Sequence, residues 1–224
     1  MSFHAKPNGG YGSSQEAWQD NMLEIYGILN AAGWTLEAVS AFCGGCIRES
    51  QMNPWRWQDD VVNLSAGYGL VQFTPASDYI DLNLQYHSPN MSTREITQGA
   101  SPNDGICQVN VVNDDTLGKW LGVTWRDYWR SGTYPRAWQF SVRLRATYQI
   151  PMPYSTFKQM TVLDDAIWMF MSGYLGPLRG DRDFELYLNA GRTAYRFLSG
   201  HEPPTPTPAT SKLPLIFYLK RHPF

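Results

Sequence analysis

Glu49 is the residue whose position in this sequence best suits acid–base chemistry. It follows the apolar residues Phe42 and Cys46 by seven and three positions, so a helix through this stretch carries it on its apolar face, at the C-terminal end. A carboxyl group there loses solvation and lies at the negative end of the helix dipole, and both effects favour its protonated form. Such an acid can donate a proton to a glycosidic oxygen near neutral pH. The alternative is a glutamate that is paired with an arginine or simply exposed.

A short segment after Glu49 combines two glycines with a glutamine. Gly67 and Gly69 allow the backbone to approach a ligand closely, or they form an ordinary tight turn. The side chain of Gln72 can hydrogen-bond to a ligand, or it can make a structural hydrogen bond. The residue types alone leave both interpretations open.

Two helices are predicted before this segment. Ser13 is a suitable start for the first helix, and Gly33 is a suitable end. Thr35 can cap the second helix, which Asn53-Pro54 ends. Gly44-Gly45 inside that helix costs roughly 1 kcal/mol per glycine relative to alanine. The pair therefore indicates the close approach of another helix.

The remaining chain is predicted to be helical with one irregular stretch. From Trp55 to Pro75 the helical period is absent, and short β segments fit Val61-Val62 and Tyr68 to Phe73. The other predicted elements are a partial helix in 76–95, a surface loop in 88–105, two or three helices within 114–149, and two helices that end near Gly176 and Gly200. The predicted fold class is α+β and mostly α-helical.

The order of these motifs resembles one protein family. The sequence contains Arg48-Glu49-Ser50, Asn53-Pro54, Gln58 and then Gly67 to Pro75, which reads GYGLVQFTP. This order resembles the phage tail lysozyme family of the lysozyme-like superfamily, which is akin to lytic transglycosylases and goose-type lysozymes. A weaker likeness lies in Ala166 to Pro177 (AIWMFMSGYLGP), which is similar to the family's C-terminal helix. The resemblance covers residues 13–200.

The resemblance implies a lysozyme-like fold in which a small β-hairpin forms one wall of the substrate cleft. It implies that Glu49 is the general acid of a peptidoglycan glycosidase that cleaves the β-1,4 bond between N-acetylmuramic acid and N-acetylglucosamine. By the same resemblance, Gln72 and the adjoining backbone bind the sugar chain, and Tyr68 and Phe73 line the cleft. Tyr174, near the end of its helix, is expected to face the same cleft, with core packing as the alternative.

The sequence departs from animal-type lysozymes at Gly67, where those proteins carry an aspartate. The second carboxylate of a standard retaining glycosidase is therefore missing from its expected place. Goose-type lysozymes and lytic transglycosylases also lack this aspartate. Asp59, Asp60 and Asp78 are the candidates for a carboxylate that holds water in an inverting reaction. Assistance by the acetamido group of the substrate stays open. So does transglycosylation, in which Glu49 acts as acid and then as base and leaves 1,6-anhydro products.

Charge and hydropathy limit the classes of partner. The net charge is −2 and the pI is about 6.1, whereas nucleic-acid-binding domains favour clustered basic residues. We therefore expect no nucleic-acid partner. No stretch approaches the ~18 apolar residues that a membrane span requires, and the N-terminus lacks the apolar core of a signal peptide. We therefore expect synthesis in a host cytoplasm and exit by another route, such as within a virion.

The three cysteines provide no disulfide framework. Cys43 and Cys46 form a C-x-x-C pair, but a zinc site needs four Cys or His ligands at compatible spacings. Cys107 and the four scattered histidines supply no such set. We expect buried, inert thiols, and we expect neither a metal nor a cofactor.

Four regions are predicted from composition. They are a lead-in at 1–12, a lysozyme-like catalytic domain at 13–200, a Pro/Thr linker at 201–212 and a docking peptide at 213–224 (LPLIFYLKRHPF). We expect the aromatic and basic docking peptide to attach the domain to proteins of a phage tail or a similar wall-penetrating machine. A virion-associated lysozyme is favoured over a free endolysin, because no separate wall-binding domain is expected after residue 200. A non-catalytic wall-binding or structural tail module is the alternative from a different class.

Overall fold

The computed structural model describes residues 3–6, 15–86, 103–124, 135–176 and 181–201. Within these ranges the chain forms helices joined by turns, with no β-strand. A 3-10 turn spans Gln58–Asp60, and a π turn, Met171–Leu175, continues the seventh helix. The helices in chain order are α1 (Gln15–Ala31), α2 (Leu36–Ser50), α3 (Ala76–Tyr86), α4 (Asn103–Asp114), α5 (Pro135–Thr147), α6 (Tyr154–Lys158), α7 (Leu163–Phe170) and α8 (Asp181–Leu198).

Helix α2 lies at the centre of the fold and packs against α1, α7 and α8. The predicted cap at Thr35 is confirmed, because its Oγ1 accepts a hydrogen bond from the backbone N–H of Ala38 at 3.2 Å. The apolar face is buried, with Phe42 and Cys46 fully enclosed. The helix ends where Gln51 adopts the left-handed conformation with φ 51°. Glu49 therefore lies in the last turn of a helix whose apolar face is buried.

Glycines allow α2 to lie in near contact with its neighbours. A β-carbon added to Gly44 would lie 2.6 Å from Cα of Gly191 in α8. One added to Gly45 would lie 2.9 Å from the ring of Phe170 in α7. The predicted reason for Gly44-Gly45, the close approach of another helix, is confirmed.

Helix α8 carries the side chains that fix its orientation. Phe184 and Leu188 are buried at helical spacing, and Phe184 packs edge-on against Trp168 of α7 with ring centroids 5.0 Å apart. Tyr187 and Gly191 are four residues apart, so they lie on one side of α8. That side faces α2.

The connection between α2 and α3 differs from the predicted β-hairpin. It contains two isolated antiparallel bridges, Trp57–Tyr68 and Tyr68–Phe73, rather than a pair of strands. Two strands do not form here because of the local backbone conformation, in which Gly69 has φ 79° and Gln72 has φ 51°. These left-handed residues close the chain into a tight turn directly after Tyr68, so extended pairing stops there.

The other helices lie in the predicted ranges with two exceptions: the short α6 was not predicted, and α4 begins inside the range expected to be a surface loop. Its inner face carries the buried polar residues Asp104 and Gln108, which hide the apolar period that would have revealed it. Helix α5 lies in the range where helices were predicted. The proposed helix start at Ser13 and the docking peptide at 213–224 lie outside the described residues.

The cysteines are free thiols within the helical core. Cys43 and Cys46 are fully buried, and Cys107 is partly buried. Burial raises the pKa of all three thiols, and together with the charge of Asp104 it raises the pKa of Cys107 to about 12. In the described part of the chain, no three His, Cys, Asp or Glu side chains are placed to hold a metal ion. None of the described helices is both long and apolar enough to cross a membrane.

Candidate active site

Glu49 opens onto a polar pocket at the end of α2. The side chain is half-buried, and the pocket has a volume of about 380 Å³. The opposite wall is the turn between the bridged residues Tyr68 and Phe73, which contributes Gln72. The pocket is lined by Glu49, Arg56, Gln58, Asp59, Val71, Gln72, Thr74 and Leu175. The two residues that the sequence singled out, Glu49 and Gln72, thus border one space.

Tyr187 of α8 holds the Glu49 carboxyl group by a hydrogen bond. Its phenol O–H donates a hydrogen bond to Glu49 Oε1, across the contact between α8 and α2. Burial raises the pKa of Tyr187, and the neighbouring charge of Glu49 raises it further, so the phenol stays protonated and acts as the donor. The guanidinium carbon of Arg48 lies 5.9 Å from the centroid of the same ring. The carboxyl group is therefore held in one orientation.

Sequence reasoning missed Tyr187 as a site residue. It is separated from Glu49 by 138 positions. The hydrophobic pattern of its helix shows only which face of that helix is buried. The one available signal was its spacing of four residues from Gly191, the glycine that faces Gly44. That relationship becomes visible only when the two helices are placed together.

Gln72 is positioned by the turn that carries it. Tyr68 and Phe73 exchange two backbone hydrogen bonds, with N···O distances of 3.1 and 2.8 Å. The Gln72 Nε2 group donates to the backbone oxygens of Arg56 and Gly69 at 3.2 and 3.0 Å. The amide N–H groups of Gln72 thus make structural hydrogen bonds, and the side chain also lines the pocket.

The prediction that Tyr68 lines the cleft is wrong. Tyr68 is fully buried, and its ring packs on Trp57 with the ring centroids 4.6 Å apart. Its hydroxyl donates to the buried carboxylate of Asp104 at 2.7 Å. This partner, 36 residues further along the chain, draws the ring into the core.

Phe73 and Tyr174 border an adjoining pocket of about 190 Å³. Phe73 is 3% exposed and stacks on Tyr79, so it offers only an edge to this space. Tyr174 stacks on Phe170 with ring centroids 5.2 Å apart, and its hydroxyl is buried with no hydrogen-bond partner among the described residues. The pocket shares Val71, Gln72, Thr74 and Leu175 with the Glu49 pocket, so the two form one groove.

The three candidate second carboxylates occupy different surroundings. Asp59 lines the Glu49 pocket and has a left-handed backbone with φ 56°. Asp60 lies 3.9 Å from the Nε of Arg56. Asp78 lies 3.6 Å from Nζ of Lys119, and neither of these two lines the Glu49 pocket. The structure therefore brings Asp59 into the same pocket as Glu49.

The helix-rich fold agrees with what the resemblance to lysozyme-like proteins implied, whereas the wall that faces Glu49 is a bridged turn and not the implied β-hairpin. Comparison with known families assigns the chain to one of them. The family described as phage tail lysozyme matches residues 20–198, and the chain belongs to that family.

A shorter likeness connects the chain with a named phage protein. It is 42% identical over 62 residues to morphogenesis protein 1 of Bacillus phage B103. That match covers 27% of this chain and 17% of the Bacillus phage protein. The likeness is therefore confined to a short segment of both proteins.

Proposed function

We propose that this protein is a peptidoglycan glycosidase that cleaves the β-1,4 bond between N-acetylmuramic acid and N-acetylglucosamine, with Glu49 as the general acid. The observation that carries the proposal is the position of Glu49. It is half-buried at the end of α2, receives the hydrogen bond of Tyr187 and opens onto a groove whose far wall holds Gln72. Membership of the phage tail lysozyme family supports the same class of substrate.

The geometry suits proton donation to a bound glycan. Tyr187 occupies Oε1, so the other carboxyl oxygen of Glu49 is the one that points the proton at the bridging oxygen in this mechanism. As the glycosidic bond breaks, positive charge develops on the sugar ring, and the Glu49 carboxylate that remains stabilises it. Tyr187 then stabilises that carboxylate by the hydrogen bond it already makes.

Asp59 is the side chain best placed to hold the attacking water. It lines the same pocket as Glu49, whereas Asp60 and Asp78 lie by Arg56 and Lys119. A carboxylate on the far side of the sugar ring acts as general base and gives inversion at the anomeric carbon. This observation favours hydrolysis over the transglycosylation that leaves 1,6-anhydro ends.

The adjoining pocket extends the groove for further sugar units. Tyr174 is half-buried and lines this pocket, so in this proposal its side chain forms part of the surface that faces the sugar. The edge of Phe73 offers an apolar surface beside it. Gln72 lies between the two pockets and contacts the glycan at the cleaved position in this proposal.

Mass spectrometry of digested peptidoglycan tests the reaction type. Purified sacculi incubated with the protein are expected to release muropeptides with reducing N-acetylmuramic acid ends. Release of 1,6-anhydro ends would show that Glu49 serves as both acid and base. The alternative, a non-catalytic wall-binding or structural module, is suggested by Gly67, which stands where animal-type lysozymes carry an aspartate. Saturable binding without any released fragment would establish that alternative.

We further propose that the protein acts from a phage virion, as part of the tail. The family and the likeness to a phage morphogenesis protein support a phage-associated role. In this proposal it is made in the host cytoplasm, and residues 213–224 attach it to the particle by burying their apolar side chains on another tail protein. Deletion of residues 201–224 is expected to abolish incorporation into particles and to spare activity on sacculi, and normal incorporation would contradict the attachment.

A further inference from the structure

A buried polar pair on α4 joins the two walls of the groove. Gln108 is fully buried, and its side-chain Oε1 accepts the backbone N–H of Leu70 at 2.6 Å. Its Nε2 donates to the carbonyl oxygen of Pro54 at 2.6 Å. Leu70 belongs to the turn that carries Gln72, and Pro54 belongs to the segment that follows α2 and Glu49. One side chain therefore bonds to both walls.

Asp104 fixes which way the Gln108 amide points. It lies one helical turn before Gln108, and its Oδ2 accepts from Gln108 Nε2 at 2.8 Å. The same carboxylate accepts from the hydroxyls of Tyr68 and Tyr79. Since a carboxylate oxygen only accepts, the amide nitrogen must face Asp104, and the amide oxygen is left to face Leu70.

The fit between Gln108 and the turn leaves no free space. A β-carbon added to Gly69 would lie 2.3 Å from Gln108 Oε1, and Gly69 has φ 79°. The backbone of the turn thus rests directly on the amide. Movement of Gln108 has to be transmitted to the turn, because a close-packed interior does not absorb it.

We propose that Gln108, oriented by Asp104, is a positioning residue that sets the distance between the Gln72 wall and the Glu49 wall. Neither residue lines the groove, so neither touches the glycan in this account. The consequence for glycan binding rests on the proposed function, but the consequence for the turn does not. A groove of the correct width is needed for a sugar ring to contact Gln72 and Glu49 together.

The test uses the full chain with Gln108→Met, which keeps the side-chain volume and removes all the hydrogen bonds of Gln108. Amide hydrogen exchange of residues 67–73 is expected to accelerate by roughly tenfold, the factor that corresponds to one or two hydrogen bonds. In a Glu49→Gln background, the affinity for soluble peptidoglycan glycan strands is expected to fall by a similar factor. The control is Asp165→Asn, which changes a different buried polar side chain, one that pairs with Arg143 and lines neither pocket of the groove.

Hydrogen exchange at residues 67–73 tests the positioning role of Gln108 whether or not the protein cleaves peptidoglycan. Faster exchange in Gln108→Met but not in Asp165→Asn supports positioning, even if the protein binds no glycan and the proposed function fails. Equal exchange at 67–73 in the two variants would overturn it. Should Gln108→Met fail to fold, Gln108→Glu supplies the same measurement. It places a second carboxylate against Asp104, and the lost protection is expected to return as the pH falls and one carboxyl group protonates.

Discussion

Gly44 of α2 and Gly191 of α8 lie against each other without intervening side chains. A β-carbon on Gly44 would lie 2.6 Å from both Cα and N of Gly191. Four residues before Gly191, Tyr187 reaches across the same contact and donates its hydrogen bond to Glu49. The approach of the two helix backbones thus determines whether the phenol reaches the carboxyl group.

The glycine contact gives a first prediction. In Gly44→Ala, the higher helix propensity of alanine adds about 1 kcal/mol to the free energy of unfolding, but the added β-carbon forces two backbones apart, and such overpacking costs about 1–3 kcal/mol. We expect a net loss of stability, because the contacting atoms belong to the backbone and cannot move aside. Thermal unfolding measures the loss of stability, and activity on sacculi is expected to fall with it. Gly200→Ala is the control, since its β-carbon would meet its nearest neighbour at 3.6 Å. An unchanged melting temperature for Gly44→Ala would refute the contact.

The phenol of Tyr187 gives a second prediction. Tyr187→Phe removes the hydrogen bond to Glu49 and keeps the ring, so the fold is expected to lose only about 1 kcal/mol. Catalytic rate on peptidoglycan is expected to fall by roughly tenfold, because the carboxyl group loses its fixed orientation and its stabilisation after proton transfer. Tyr195→Phe on the same helix is the control and should retain full activity. Equal rates for wild type and Tyr187→Phe would exclude a role for this hydrogen bond.

The thiols give a prediction about pH. Burial and the charge of Asp104 raise the pKa of Cys107 to about 12, above the usual value, so the reactive thiolate is depleted at pH 8. Labelling of the folded protein by a thiol reagent is therefore expected to be slow at pH 8 and to accelerate about tenfold per pH unit towards 12. After unfolding, all three cysteines should react. Fast labelling of the folded protein at pH 8 would contradict the burial.

The candidate general base gives a fourth prediction. Asp59→Asn is expected to lower the rate of glycan hydrolysis by about 10²–10⁴-fold, the usual contribution of a general base. Asp60→Asn is the neighbouring control and should stay within about threefold of wild type, the weak effect expected for an exposed carboxylate near Arg56. If Asp59→Asn were fully active, the reaction would proceed without that carboxylate, and transglycosylation would become the favoured mechanism.

The sequence predicted those parts of the site that depend on local pattern. The helix through Phe42 and Cys46, its cap at Thr35 and the placement of Glu49 all follow from spacing along one helix. The requirement for Gly44-Gly45 was also predictable, because two glycines inside a helix call for a packing reason. The partner, Gly191, was not, because it lies far along the chain.

The errors and omissions share one cause. Tyr68 was placed in the cleft by the family resemblance, yet its hydroxyl is held by Asp104, 36 positions away. Gln108 and Tyr187 were missed because their partners are 38 and 138 positions distant. Hydrophobic periodicity reports which face of an element is buried. It does not report which buried polar groups meet across the core.

Whether Glu49 is the general acid is decided by the release of soluble muropeptides from purified sacculi, compared between wild type, Glu49→Gln and Glu37→Gln. Glu49→Gln keeps the shape of the side chain and removes its acidic proton, while Glu37→Gln makes the same change near the other end of α2. We expect release by the wild type and by Glu37→Gln at similar rates, and a loss of at least about a hundredfold in Glu49→Gln. Full release by the Glu49→Gln protein would show that this carboxyl group is not the acid.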